Sequence, residues 1–109
     1  MPIFEYCSRK IYFTDSGNQN GKDFLFIHGW TSSQNVFKRQ FDFFGREYRI
    51  VALDLLGHGH SDRLSPDEAG NLYGYPRMGD TVLALLGHLG ISRAIVLGWS
   101  MGGQLLRWI

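Results

Sequence analysis

The sequence predicts an α/β fold built on an open, mostly parallel β-sheet. Three observations carry that prediction. Residues 24–27 (FLFI), 50–53 (IVAL) and 94–97 (AIVL) are short, continuous apolar runs, the pattern of strands buried on both faces and therefore parallel. Helical stripes lie between them, at Phe37, Phe41 and Phe44 and at Met78, Val82, Leu85, Leu86 and Leu89. Glycine makes up 14 of 109 residues, well above its usual share of about 7%, and falls between the apolar runs, where turns and close approaches need it.

Taken in order, residues 3–7 and 11–14 read as two strands of an antiparallel hairpin, although Ser8-Arg9-Lys10 is a poor turn sequence. Residues 15–21 form a polar loop. After the first buried run, Thr31 and Gln34 read as a capping box that opens a helix, and Gly45 closes it as a C-cap. Residues 57–75 make a long connection holding Pro66, Gly70 and Gly74, and long connections in compact domains are often functional. Pro76 suits the first turn of a second helix, and Gly90 stops it. Gly79 and Gly87 inside it cost about 1 kcal/mol each relative to alanine, so this helix depends on packing. Residues 101–109 begin a further helix with Leu105, Leu106 and Ile109 on its buried face, and the sequence ends there without a cap or stop signal. The chain is therefore expected to be the N-terminal part of a longer protein. The order is β-β-β-α-β-loop-α-β-α, with no internal repeat.

Composition narrows the functional classes. The chain is 44% hydrophobic and 15% aromatic, as a globular chain is. With 11 basic and 10 acidic residues and no charge run, nothing argues for nucleic acid or an anionic membrane as partner. No stretch approaches the roughly 20 apolar residues of a membrane helix. The N-terminus lacks the features of a secretory signal, so a cytoplasmic address is expected. A single cysteine forms no internal disulfide, and Cys7 reads as a small buried hydrophobe. No G-x-G-x-x-G follows the first parallel strand, and no cofactor is expected. His58 and His60, with Asp54 and Asp62 nearby, invite a metal, but no further His or Cys at ligand spacing completes a site, so none is expected. His88 reads as a solvated helix residue.

The chemistry concentrates at Gly98-Trp99-Ser100-Met101-Gly102-Gly103, which follows the run 94–97 and opens a helical pattern. This is G-x-S-x-G in its strand–turn–helix context. On so sharp a turn the serine backbone is strained. Gly98 and Gly102 are needed because a Cβ would collide with the neighbouring strand and helix. Ser100 Oγ is pushed out at the carboxyl end of the sheet, and the Met101 N–H can donate to a developing oxyanion. The same pattern also fits a glycine-rich turn whose serine only caps a helix. Trp99 and Met101 read equally as pocket lining or core.

Two further motifs precede it: His28-Gly29-Trp30 after the run 24–27, and Asp54-Leu55-Leu56-Gly57-His58-Gly59-His60-Ser61-Asp62 after the run 50–53. With all three in this order, the chain resembles the α/β-hydrolase family along its whole length. The resemblance implies a sheet of order 1-2-4-3-5 with helices on both faces. It implies that Trp30 supplies a second oxyanion donor through its backbone N–H, that Gly29 lets this loop approach the substrate oxygen, and that His28 organises the loop. The stretch 57–61 would form a structural wall behind it. Serine at the elbow, with Thr31 where a proline would otherwise follow His28-Gly29-Trp30, argues against the epoxide-hydrolase and haloalkane-dehalogenase branches.

One departure matters. In the family the triad acid and histidine follow the serine in chain order. Here nine residues follow Ser100, and none is Asp, Glu or His. Residues 1–109 are thus expected to be an incomplete domain, truncated in the helix after the elbow. The parent would be a serine hydrolase acting on a small-molecule ester or similar acyl compound. Esterase, lysophospholipase, perhydrolase and carbon–carbon hydrolase chemistry all stay open. The 109 residues alone are expected to be inactive. The alternative is a non-catalytic relative that keeps the fold for binding or interaction. In the implied strand order the run 94–97 is an unprotected edge, so self-association is expected.

Overall fold

β1 (Ile3–Tyr6) and β2 (Arg9–Asp15) pair antiparallel, with Phe4 opposite Ile11 and Tyr6 opposite Arg9. These and all other contacts come from a computed structural model of the chain, which describes residues 2–18, 22–63 and 74–108. Residues 19–21 of the polar loop, together with Pro66, Gly70 and Ile109, lie outside the described residues. β2 continues antiparallel onto β4 (Arg49–Leu53). β3 (Asp23–Ile27) runs parallel to β4 on one side and to β5 (Ile95–Gly98) on the other. The five strands thus form one mixed sheet in the order β1-β2-β4-β3-β5, as the motifs implied.

Period-two alternation sends side chains to opposite faces. Leu25, Ile27, Val51 and Leu53 are all fully buried on one face. Met78, Val82 and Leu85 of α2 (Tyr75–His88), with Leu105 of α3 (Met101–Leu105), join the same core. The stripe read from the sequence is the buried face of α2. Pro76 stands in its first turn, and Gly90 past its end has φ +71, the left-handed conformation that glycine provides. On the opposite face a smaller core joins Phe26, Ile50 and Ala52 to Phe37, with the Phe26 and Phe37 rings 5.0 Å apart. Phe37 ends a 3-10 turn (Gln34–Phe37) that leads into α1 (Lys38–Phe44). At the far end of β4, the Arg49 guanidinium forks onto both carboxylate oxygens of Asp15, at 2.9 and 3.2 Å. No helix among the described residues is long and apolar enough to cross a membrane.

Three expectations need correction, and the Gly45 cap holds for a different physical reason. Cys7 is exposed, not buried. It and Ser8 form the two-residue hairpin turn, both with positive φ (51° and 62°), as a type I′ turn requires. Thr31 and Gln34 do not form a capping box. Thr31 is held at φ +61, the cap is Ser33, whose side chain accepts the Asn35 N–H, and Gln34 Oε1 instead accepts the Thr14 hydroxyl at 2.6 Å. Gly45 does close α1, but at φ −64 it is not left-handed; glycine is needed for space, because a Cβ would stand 2.5 Å from the Phe41 carbonyl oxygen. β5 is not buried on both faces: Ile95 is 50% and Leu97 47% exposed, because on that face α1 covers only β3 and β4.

Candidate active site

The turn from β5 into α3 is shaped by what its backbone must avoid. Trp99 N–H extends the strand pairing by donating to the Ile27 carbonyl at 2.9 Å. The chain then reverses at Ser100, whose φ of 54° and ψ of −115° lie outside the regions a side chain prefers. Such a residue costs on the order of 1–3 kcal/mol and persists only where its surroundings hold it. Here the Ser100 carbonyl accepts from Gly103 and Gln104 N–H, and the Trp99 carbonyl from Gly102 N–H. A Cβ on Gly98 would lie 2.5 Å from the Gly102 carbonyl, and one on Gly102 would lie 2.6 Å from the His28 carbonyl oxygen and overlap that of Ile27. Both glycines therefore let α3 start directly against β3. Ser100 itself is exposed. Met101 is buried in the core while Trp99 is 51% exposed, which separates the two residues flanking the serine. The Met101 N–H is one of the first-turn amides for which a helix offers no partner of its own.

The loop after β3 meets this turn. Gly29 is buried against it: a Cβ there would stand 3.1 Å from the Trp99 ring and 3.3 Å from Ser100 Cβ. Trp30 follows immediately, with its side chain 53% exposed. His28, before Gly29, is fully buried. Its Nε2 accepts the Leu55 N–H at 3.0 Å, so Nδ1 carries the proton and donates to the Gly29 carbonyl at 2.7 Å. Burial holds its pKa below the ordinary value, against a smaller opposing effect of the Gly29 carbonyl. His28 is thus neutral with both ring nitrogens engaged, an arrangement that fixes a loop and leaves no nitrogen for proton transfer.

The loop after β4 closes the floor. Asp54 is 2% exposed, and its two oxygens accept the Gln34 N–H at 2.9 Å and the His60 N–H at 3.0 Å. Gly59, at φ +51, passes so close that a Cβ would overlap this carboxylate. Ser61 Oγ donates to the Asp54 carbonyl and accepts the Tyr12 N–H, while Asp62 accepts the Lys10 N–H at 2.9 Å. The His58 ring lies between those of His28 and Trp30, 5.0 Å from each, with Nδ1 2.9 Å from the Leu56 carbonyl. The His60 ring stands edge-on to Tyr12, and exposed His88 lies over Phe4. No group of three candidate metal ligands converges among the described residues. The four histidines engage other groups: His28 the Leu55 N–H and Gly29 carbonyl, His58 the Leu56 carbonyl, His60 the Tyr12 ring and His88 the Phe4 ring.

The structure brings together His28, Gly29, Gly98, Ser100 and Gly102, with Trp30 and Met101 adjoining in sequence. Sequence reasoning read Gln34 only as half of a helix cap and Ser61 only within the 57–61 wall, and it met Asp54 as a metal candidate and as the first residue of a family motif without assigning its backbone bonds. The available signal was an acid directly after a fully apolar run, followed by closely spaced glycines.

Known proteins share this fold. A model of the alpha/beta hydrolase fold matches residues 23–109. The AB hydrolase superfamily protein YisY of Bacillus subtilis is 35% identical over 96 residues, which is 87% of this chain and 33% of that protein. The bifunctional esterase/perhydrolase DCH of Acinetobacter calcoaceticus is 33% identical over 94 residues, 85% of this chain and 32% of that protein. Among solved structures, the N-acyl homoserine lactonase AidH superposes with a TM-score of 0.84 at 33% identity, over 95% of this chain and 37% of its own. The chain thus spans about a third or less of the length of the first curated relatives it matches. On its strand order, its three loops at the carboxyl end of the sheet and a family match over residues 23–109, the chain belongs to the α/β-hydrolase family.

Proposed function

We propose that Ser100 is the nucleophile of a serine hydrolase acting on an ester or a similar acyl compound. Ser100 Oγ attacks the carbonyl carbon, and the oxyanion receives the backbone N–H groups of Met101 and Trp30. The serine proton passes to a histidine, oriented by an acid, that lies in sequence outside these 109 residues; the same histidine protonates the leaving alcohol, and water then releases the acyl group. The observation that carries this reading is the strained Ser100 backbone on a turn packed so closely against Gly29 that a side chain there would crowd it. It is consistent with relatives named as an esterase/perhydrolase and as an N-acyl homoserine lactonase, both of which handle acyl compounds.

A second reading applies to the 109 residues by themselves. Their histidines have partners elsewhere, so without an external base this stretch binds and does not turn over. What then remains of serine hydrolase catalysis is roughly 10³–10⁴-fold over water, from the oxyanion site and binding alone. A fluorophosphonate probe separates the readings. Full-length protein should be labelled at Ser100, the Ser100→Ala variant should not, and p-nitrophenyl acetate turnover should vanish with it. Equal turnover by parent and variant would remove Ser100 from the mechanism. The 109-residue chain should show negligible turnover and, through the β5 edge with its half-exposed Ile95 and Leu97, should self-associate. A monodisperse monomer by size-exclusion chromatography would overturn that last point.

A further inference from the structure

The oxyanion reading assigns a role to the Trp30 amide, and this inference rests on that reading. Trp30 belongs to a short loop that includes Thr31 in the left-handed region, at φ +61. A threonine there is strained and will relax unless the loop is held. The loop is held at both ends by two consecutive residues that directly follow β4. On the upstream side the Leu55 N–H donates to His28 Nε2 at 3.0 Å. On the downstream side Asp54 Oδ1 accepts the Gln34 N–H at 2.9 Å.

We propose that Asp54 is a positioning residue for the oxyanion site: its buried carboxylate clamps the Trp30 loop to the end of β4 and to the loop after it. The carboxylate suits this task chemically. Both of its bonds here are received from backbone N–H groups, one from Gln34 and one from His60. An ionised carboxylate accepts at both oxygens, whereas an amide of the same shape accepts at only one. Asp54 is in turn fixed by its own backbone, with its N–H on the Tyr12 carbonyl at 2.8 Å and its carbonyl receiving the Ser61 hydroxyl at 2.5 Å. Gly59 supplies the space: any side chain there would displace the carboxylate. The clamp therefore ties β2, β4 and two loops to the segment that carries the Trp30 N–H, and Asp54 needs no contact with substrate to matter.

The test uses full-length protein, with Asp54→Ala and Asp54→Asn. Amide hydrogen exchange across residues 29–34 should accelerate on the order of tenfold in Asp54→Ala and less in Asp54→Asn, while amides of residues 50–53 keep their protection. With active sites counted by fluorophosphonate titration, kcat per site should fall about 10- to 100-fold in Asp54→Ala, and KM should stay within about twofold, because a misplaced oxyanion donor is felt mainly in the transition state. Asp54→Asn should recover part of that loss. Unchanged exchange across 29–34, or unchanged kcat per site in a folded variant whose loop has loosened, overturns the proposal. If Asp54→Ala does not fold, Asp54→Asn decides on the same two readings. Failure of the parent protein to react with the probe would instead sink the hydrolase reading and leave the exchange result to judge the clamp alone.

Discussion

Two regions of the sheet show how unevenly tolerance is distributed in this chain. At the carboxyl ends of β3, β4 and β5, a Cβ added to Gly59, Gly98 or Gly102 would overlap backbone or a buried carboxylate, and Asp54, His28 and Ser61 are bonded on every side described. Along the outer flank of β5, Ile95 and Leu97 stand about half exposed over an open apolar groove of about 350 Å³, bordered by Phe24, Phe44 and Tyr48. Both regions are built from the same strands. The difference teaches that apolar continuity alone makes a strand, whereas a site needs each neighbouring atom placed. The first demand tolerates a loose flank. The second does not tolerate an extra methyl group.

The largest expected effect lies at the site end. Gly102→Val drives a branched side chain into the Ile27 and His28 carbonyls, which belong to a paired strand and its loop and cannot give way. We expect a loss of at least about 3 kcal/mol, read as failed expression or a collapsed thermal transition. Normal melting would refute the turn geometry.

An intermediate contrast runs across the sheet. Leu53→Ala removes a fully buried side chain and should cost about 2–5 kcal/mol. Leu97→Ala, on the half-exposed flank, should cost less than about 1 kcal/mol. Denaturant melts of the two variants side by side measure the asymmetry directly, and equal losses would abolish it.

The smallest effect is a pH slope. His28 is held neutral by burial, so its folded-state pKa lies below the ordinary value near 6.5. Below that ordinary value the unfolded chain binds a proton that the folded chain refuses, so stability falls as pH drops from about 7 toward 5. His28→Gln should flatten this slope while keeping an acceptor for the Leu55 N–H. Parallel slopes in parent and variant would show that His28 is not the group responsible.

The legible parts of the fold were those where one residue type does one job. Continuous apolar runs gave the strands, and the Met78–Val82–Leu85 stripe gave the buried face of α2. The order of the strands came only from the family resemblance that the three motifs carry, since no local pattern distinguishes β3 beside β5 from β3 beside β2. What stayed hidden was local chemistry overruled by distant contacts. Thr31 and Gln34 match a capping box in spacing, yet the loop's contact with β5 and the Asp54 bond take both residues elsewhere. Cys7 and Ser8 are not turn formers by type; the register of Phe4 on Ile11 puts them at the bend. At the site, Ser100 and the glycines were visible because their spacing is set by steric exclusion. Asp54 was ambiguous because a carboxylate after a strand can serve metal, solvent or backbone, and only the folded loops decide.

The neighbourhood of β3 and β5 has a consequence for assembly. Trp30 and Met101 are 71 positions apart in the sequence, and their loops meet because Phe24 to Ile27 pair with Ile95 to Gly98. That pairing joins distant segments, and distant pairings form late because the intervening chain must first be closed into a loop. The hydroxyl of Ser100 is therefore an ordinary alcohol in a nascent or partly unfolded chain and acquires these surroundings only when β5 docks on β3. Under the proposed function, reactivity at Ser100 during refolding would appear no earlier than the pairing of β3 with β5.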